Sequence, residues 1–176
     1  MEKGDFAITN FLIIEDFFRD NNAPQCLKEE LAEFAIYFKD YSWARKASFD
    51  TYSNGAYLGM KQNGRRHHIG MYVFNDGDIY LGEWYNGVCQ GRGFYYFASG
   101  SVYWGEWKND LRHGKGHIWR PGYESEGTYY EDKEIHNMYV RSSNRNQSYS
   151  RSSSSSSSGG TIAIIIIILL LIYFLS

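Results

Sequence analysis

Tyr80-Leu81-Gly82-Glu83-Trp84-Tyr85-Asn86-Gly87-Val88-Cys89-Gln90-Gly91-Arg92-Gly93 is the stretch on which the reading of this 176-residue chain turns. Twenty-three residues further on it returns as Tyr103-Trp104-Gly105-Glu106-Trp107, a turn at Asn109-Asp110, and His113-Gly114-Lys115-Gly116. Twenty-three residues earlier a looser copy runs from Tyr57-Leu58-Gly59 through Asn63-Gly64 to His67-His68-Ile69-Gly70. Self-similarity at a fixed period of this kind marks a repeat architecture, in which each unit buries its apolar face against its neighbours.

Side chains alternate along a strand, so Tyr80, Gly82 and Trp84 share one face and Gly91, Gly93, Tyr95 and Phe97 share one face of the next strand. Turn dipeptides punctuate the chain at Asn54-Gly55, Asn63-Gly64, Asp76-Gly77, Asn86-Gly87, Ser99-Gly100, Asn109-Asp110, Pro121-Gly122 and Glu131-Asp132. Asn-Gly and Asp-Gly favour the positive φ of two-residue hairpins, and such close breaks leave only strands between them. The expected body is mainly β, an elongated antiparallel meander of about nine strands over residues 47–141. Its repeats fall at about 57–79, 80–102 and 103–124, with a degenerate copy at 125–137. A glycine beside a large ring leaves a hollow, so each repeat is expected to stack a Tyr or Trp over its neighbour's glycine. The opposite face, with Ile69, Met71, Val73, Phe94, Tyr96 and Trp119, is too apolar to be left to water.

Residues 1–46 read as helical and supply the cover. Ile13, Ile14, Phe17 and Phe18 form a short apolar face after Asn10, which serves as the expected cap, and Asn21-Asn22 ends it. After Pro24, the residues Leu27, Leu31, Phe34, Ala35 and Phe38 fall on one side of an amphipathic helix over 24–40, opposite Lys28, Glu29, Glu30 and Glu33. This helix is expected to lie on the apolar face of the sheet; docking to another protein is the competing reading.

The charge is asymmetric behind a formal net value of -2: every acidic residue lies at or before Glu134, and Arg141, Arg145 and Arg151 follow unopposed. Cys26 and Cys89 belong to no Cys/His cluster and read as reduced, packed thiols. Residues 142–160 are mostly serine and read as a flexible tether, with a root-mean-square span of roughly 25 Å. Residues 161–175 are apolar, with Ile162, Ile164, Ile168, Leu171, Ile172 and Phe174 among them, and read as a membrane-spanning helix. Extended back to Gly159 it reaches about 27 Å, which favours a thin bilayer such as that of the endoplasmic reticulum. The arginines on its N-terminal side place the body in the cytosol by the positive-inside rule. The expected layout is thus a single-pass, tail-anchored membrane protein. A buried core segment and a lipid-anchor signal compete for the same residues, although no secretory h-region precedes the body.

The pattern Tyr-x-Gly-x-Trp, then Asn-Gly, then His-Gly-x-Gly resembles the MORN (membrane occupation and recognition nexus) repeat over about residues 47–137. Its structural positions are Tyr57, Gly59, Gly64 and Gly70 in the first copy, and Tyr80, Gly82, Trp84, Gly87, Gly91 and Gly93 in the second. Tyr103, Gly105, Trp107, His113, Gly114 and Gly116 form the third, and Gly127 stands in the fourth. The first copy departs with Lys61 for Trp and His68 for Gly, the second with Gln90 for His, and the fourth has lost its Tyr and glycine pair as a capping repeat does. The order of parts is similar to that of junctophilins, which join MORN repeats to a C-terminal membrane anchor. The resemblance implies either contact with acidic phospholipids, particularly phosphoinositides, or scaffolding and dimerisation through the sheet.

For lipid contact the candidates are Arg65, Arg66, His67 and His68 at one hairpin, with Arg92, Arg112, Lys115 and Arg120 on nearby strands. Solvated surface charge is the alternative, and the acidic balance of the body opposes an anionic leaflet. For a protein partner the candidates are the rings of Tyr57, Tyr80, Trp84, Tyr103 and Trp107, which serve equally as packing between repeats. His67-His68 and His113/His117 lack the spacing of metal ligands. Gly91-Arg92-Gly93 and Gly114-Lys115-Gly116 lack the helix of a phosphate loop. The expectation is a non-enzymatic, membrane-anchored scaffold with no cofactor, no metal and no nucleic-acid partner, the phosphoinositide tether being its rival.

Overall fold

The computed structural model describes residues 2–142; the stretch read as a membrane span, with Ile162, Ile164, Ile168, Leu171, Ile172 and Phe174, lies outside the described residues, as does the serine tether beyond Ser142. Among the described residues no helix is long and apolar enough to cross a membrane. Three helices come first, α1 (Lys3–Asp20), α2 (Gln25–Phe38) and α3 (Tyr41–Lys46). Nine strands follow: β1 (Ser48–Tyr52), β2 (Gly55–Gln62), β3 (Arg65–Phe74), β4 (Ile79–Tyr85), β5 (Val88–Phe97), β6 (Ser101–Lys108), β7 (Leu111–Arg120), β8 (Tyr123–Tyr130) and β9 (Lys133–Ser142). They form one antiparallel sheet in sequential order, the meander expected from the turn spacing. The last strand extends the sheet beyond the expected end of the fourth copy at residue 137.

The turns divide by type. Asn63-Gly64, Asn86-Gly87, Asn109-Asp110 and Glu131-Asp132 hold both residues at positive φ, the geometry of a tight two-residue hairpin. The β3–β4, β5–β6 and β7–β8 connections use one left-handed glycine each, at Gly77, Gly100 and Gly122.

The apolar face of the sheet is covered as expected. Leu27, Leu31, Phe34 and Phe38 of α2 join Met71, Ile79, Leu81, Phe94, Val102 and Trp119 in one buried core. α1 contributes Phe11, Ile14 and Phe18 to the same core, and Phe17 packs edge-on against Tyr96 and Trp119. The expected cap of α1 is corrected. The helix begins seven residues before Asn10, whose side-chain amide donates to the Phe6 carbonyl within it. Its buried stripe is Gly4, Ala7, Phe11, Ile14 and Phe18, which the small residues at its start conceal in sequence, and Ile13 faces outward. Gly4 is required because the Tyr41 ring of α3 occupies the space a Cβ would need.

A line of seven glycines crosses the sheet: Gly59, Gly70, Gly82, Gly93, Gly105, Gly116 and Gly127 pair in register from β2 to β8. The tyrosine rings over it belong to the same repeat, not to a neighbour: Tyr57 lies over Gly59 and Gly70, Tyr80 over Gly82 and Gly93, and Tyr103 over Gly105 and Gly116. A Cβ added at Gly93 would stand 2.6 Å from the Tyr80 hydroxyl and 2.8 Å from its ring, so only glycine fits beneath.

Candidate functional site

The face away from the helices is an aromatic ladder, and its geometry explains why each repeat needs its tyrosine. One strand of each repeat bulges just after its first glycine, at Gly59/Lys61, Gly82/Trp84 and Gly105/Glu106. A bulge takes a carbonyl out of the ladder. The tyrosine hydroxyls answer it: Tyr57 donates to the Met60 carbonyl at 2.7 Å, Tyr80 to Glu83 at 2.9 Å and Tyr103 to Glu106 at 3.1 Å. These hydroxyls therefore lie down along their own strand. Burial pushes all three above the usual tyrosine pKa, with Arg66 and Arg112 pulling Tyr57 and Tyr103 part of the way back.

The tryptophans join one repeat to the next. Trp84 Nε1 donates to the Gly70 carbonyl at 3.1 Å and Trp107 Nε1 to Gly93 at 3.0 Å, each reaching into the preceding repeat. Their rings stand edge-on between two tyrosines: Trp84 is 5.4 Å from Tyr57 and 5.1 Å from Tyr80, and Trp107 is 5.3 Å from Tyr80 and 5.2 Å from Tyr103. In the fourth copy Tyr129 takes the tryptophan place, 5.3 Å from Tyr103, and its buried hydroxyl has no hydrogen-bond partner among the described residues. Ser125 takes the tyrosine place there and accepts from Asn137 Nδ2 at 3.2 Å.

The second conserved spacing within the repeats belongs to a glutamate that sequence reasoning passed over. Glu106 Oε1 accepts the Lys115 backbone N–H at 3.0 Å, lying across Gly114, and Glu83 lies across Gly91 in the same way. Both glycines have positive φ, 85° at Gly91 and 61° at Gly114. His68 holds that seat in the first copy, at φ 59°, and there the glutamate is replaced by Met60. Glu83 and Glu106 recur at one offset from their tyrosines, which is the signal that would have identified them.

The histidine of the pattern serves the next turn. His67 Nδ1 accepts from Asn86 N–H at 3.4 Å, and Gln90 accepts from Asn109 N–H at 3.3 Å in the matching place. His113 Nδ1 is buried without such a bond, its ring 5.4 Å from Tyr130. His117 is buried on the helix side between Glu124 and Glu126, 3.1 Å and 3.7 Å away. No group of three potential metal ligands occurs among the described residues. Cys26 is exposed and Cys89 buried; burial, then Asp110, holds the Cys89 thiol well above its usual pKa.

The basic candidates do not form one patch. Arg65, Arg66, His67 and His68 come together at the start of β3, with the two imidazoles 4.6 Å apart. Arg92 instead points to the helix side, where Glu33, Glu30 and Glu83 surround it at 3.4, 3.8 and 3.8 Å. Burial and Glu33 push the Glu30 pKa up against the pull of that arginine. Arg112 is bound to Asp132 at 3.0 Å, and Arg120 stacks on Tyr123 at 5.0 Å. Lys115 is exposed.

No curated protein matches the chain. Residues 57–79, 80–102 and 103–122 match the family model of the MORN repeat. Such arrays point to a scaffold for protein or membrane contacts, and the segment whose tyrosines, glycines and tryptophans have just been placed is an array of three MORN repeats.

Proposed function

We propose that the chain is a non-catalytic scaffold that holds a protein partner at a cytosolic membrane face, with the apolar residues 161–175 as its membrane-spanning segment. The observation that carries the protein-contact part is the ladder face, over which none of the described helices lies. Its buried cluster, Tyr57, Tyr72, Tyr80, Trp84, Cys89, Tyr103, Trp107 and Tyr129, is drawn from strands alone, while the three helices occupy the other face. Nine strands give that face a breadth of about 38 Å, at about 4.8 Å for each of the eight steps between strands. The rings of that cluster are buried by their own repeats, and what a partner meets is the half-buried margin of Phe74, Tyr95, Phe97 and Ile118, which they hold in order, so little entropy is lost in ordering it.

The membrane part rests on the composition of residues 161–175. Its test compares the full chain with one ending at Gly160 in membrane fractions washed at alkaline pH. The full chain stays with the membrane and the shorter one is released; equal behaviour of the two overturns the span. An acidic-phospholipid tether is favoured by the basic hairpin Arg65–His68. It is weakened by the carboxylates that already surround Arg92 and Arg112. Salt-insensitive association of the Gly160-terminated chain with phosphoinositide vesicles, or none at all, removes that reading.

A further inference from the structure

Two repeats present an arginine in the same seat with different company. Arg112 lies over Tyr103 and Tyr129, 5.6 and 5.4 Å from the ring centroids. Asp132 completes its surroundings: Oδ1 accepts the Arg112 backbone N–H at 2.9 Å and Nε at 3.0 Å, and the Asp132 carbonyl accepts from Nη2 at 3.1 Å. In the second repeat the seat holds Cys89, whose backbone N–H goes to Asp110 Oδ1 at 2.7 Å. The acidic residue is placed each time by its own N–H, which reaches back to the carbonyl of the seat residue, Asp110 to Cys89 at 3.1 Å and Asp132 to Arg112 at 3.0 Å.

Arg66 fills the seat in the first repeat, and the residue that reaches back to its carbonyl, at 2.9 Å, is Gly87. Gly87 has no side chain, and a Cβ placed on it meets nothing within 4 Å, so the space taken elsewhere by a carboxylate is open. The Arg66 guanidinium lies over Trp84 at 4.4 Å and also over Tyr72, Tyr52 and Tyr57, at 5.3, 5.8 and 5.9 Å. No carboxylate among the described residues pairs with it. Asp50, on β1 two strands away, is committed to Lys61 at 3.1 Å. A guanidinium seated on four rings is pre-oriented, half desolvated and without a counter-charge, the condition in which an added carboxylate gains most.

We propose that Arg66 and the open place beside Gly87 form a binding site for an Asp or Glu side chain of a protein partner, which takes the position that Asp132 fills beside Arg112. The proposal rests on the scaffold reading in drawing its ligand from a protein. A carboxylate is favoured over a lipid phosphate because the matching seats are completed by a short carboxylate entering from the turn. The acidic balance of the body also repels an anionic membrane more than a single acidic side chain.

The test uses the full chain in detergent micelles with a fluorescein-labelled hexaglutamate peptide, and hexaglutamine as control, read by anisotropy at low salt. Hexaglutamate binds and hexaglutamine does not. Arg66→Gln weakens binding by about tenfold or more, the scale of one lost charge-assisted contact. Gly87→Asp gives the same loss while keeping Arg66 and its rings, since it fills the seat from within. Gly87 stands at φ 98°, where an L-residue is strained, while Asp110 and Asp132 hold φ 66° in the matching places, so the variant requires the turn to shift toward that value. An unchanged unfolding midpoint for Gly87→Asp assigns its loss to the seat. The proposal is overturned if native protein ignores hexaglutamate, if Gly87→Asp binds it as native protein does, or if phosphatidylserine vesicles replace the peptide as the Arg66-dependent ligand. Membrane retention of Arg66→Gln is scored separately and stays native, so failure of this site and failure of the membrane span read differently.

Discussion

The Glu106 carboxylate lies directly over Gly114, and a Cβ added to that glycine would stand 2.5 Å from the carboxyl carbon. The acid and the bare α-carbon therefore require each other. The first repeat satisfies the same rule by changing both partners, to Met60 and His68. Met60→Glu alone is expected to destabilise by about 1–3 kcal/mol, because its carboxylate meets the His68 side chain. His68→Gly alone is expected to be neutral or stabilising by up to about 1 kcal/mol, through relief of a left-handed histidine. The double variant recovers the carboxylate-to-backbone bond, and the non-additive part exceeds about 1 kcal/mol. Urea unfolding of the four proteins measures it; additivity sinks the pairing.

Gly93→Ala is expected to cost about 1–3 kcal/mol or more by pushing Tyr80 off the glycine line, because its Cβ would lie 2.6 Å from the hydroxyl. Tyr80→Phe should cost about 1–3 kcal/mol for a different reason: the Glu83 carbonyl at the bulge loses its donor. Thermal unfolding compares them, and a loss from Tyr80→Phe no larger than that of an exposed Tyr→Phe change, such as Tyr85→Phe, shows the hydroxyl to be dispensable.

Tyr129→Trp is expected to stabilise by about 0.5–1.5 kcal/mol, since an indole there reaches the Gly116 carbonyl as Trp84 and Trp107 reach Gly70 and Gly93. The buried Tyr129 hydroxyl, without a partner among the described residues, is removed at the same time. A lower unfolding midpoint for the variant contradicts the repeat correspondence.

Alkaline pH should loosen the ladder. In the unfolded chain the phenols of Tyr57, Tyr80 and Tyr103 ionise near the ordinary tyrosine value of about 10. Burial, the largest cause of each shift, raises them in the fold. Above the ordinary value the unfolded chain binds fewer protons than the folded one, so stability falls as pH rises. Each such tyrosine contributes a slope of about 1.4 kcal/mol per pH unit until its folded pKa is reached. Below about pH 10 the contribution is complete. Tyrosinate absorbance should rise together with loss of near-ultraviolet dichroism; ionisation of all tyrosines well before that loss would contradict the burial.

The sheet was legible because its turns are written in residues that tolerate positive φ, and α2 because its apolar residues are large. The start of α1 is hidden in the sequence, since Gly4 and Ala7 bury as surely as Phe11 while giving no hydropathy signal. The glycines and tyrosines were seen as partners, but which tyrosine covers which glycine depends on a bulge and on where a hydroxyl must go, neither of which alternation displays. Arg66, Arg92 and Arg112 looked alike as charges along the chain. Their differences arise from tertiary neighbours: four rings for the first, three glutamates for the second, an aspartate for the third.

Identical junctions carry no count. Trp84 to Gly70 and Trp107 to Gly93 would continue through any number of copies, so the ladder by itself sets no length. α1 does have two ends: Phe6 meets Phe49 on β1, and Phe18 meets Trp119 on β7. α1 thus reaches from β1 to β7, and the sheet runs two strands past its end, where Ile135, Met138 and Val140 of β9 stand exposed. The N-terminal helix is in this sense a gauge of the least length: an array of fewer than seven strands would leave Phe18 overhanging water, while copies added beyond β7 lie outside its reach.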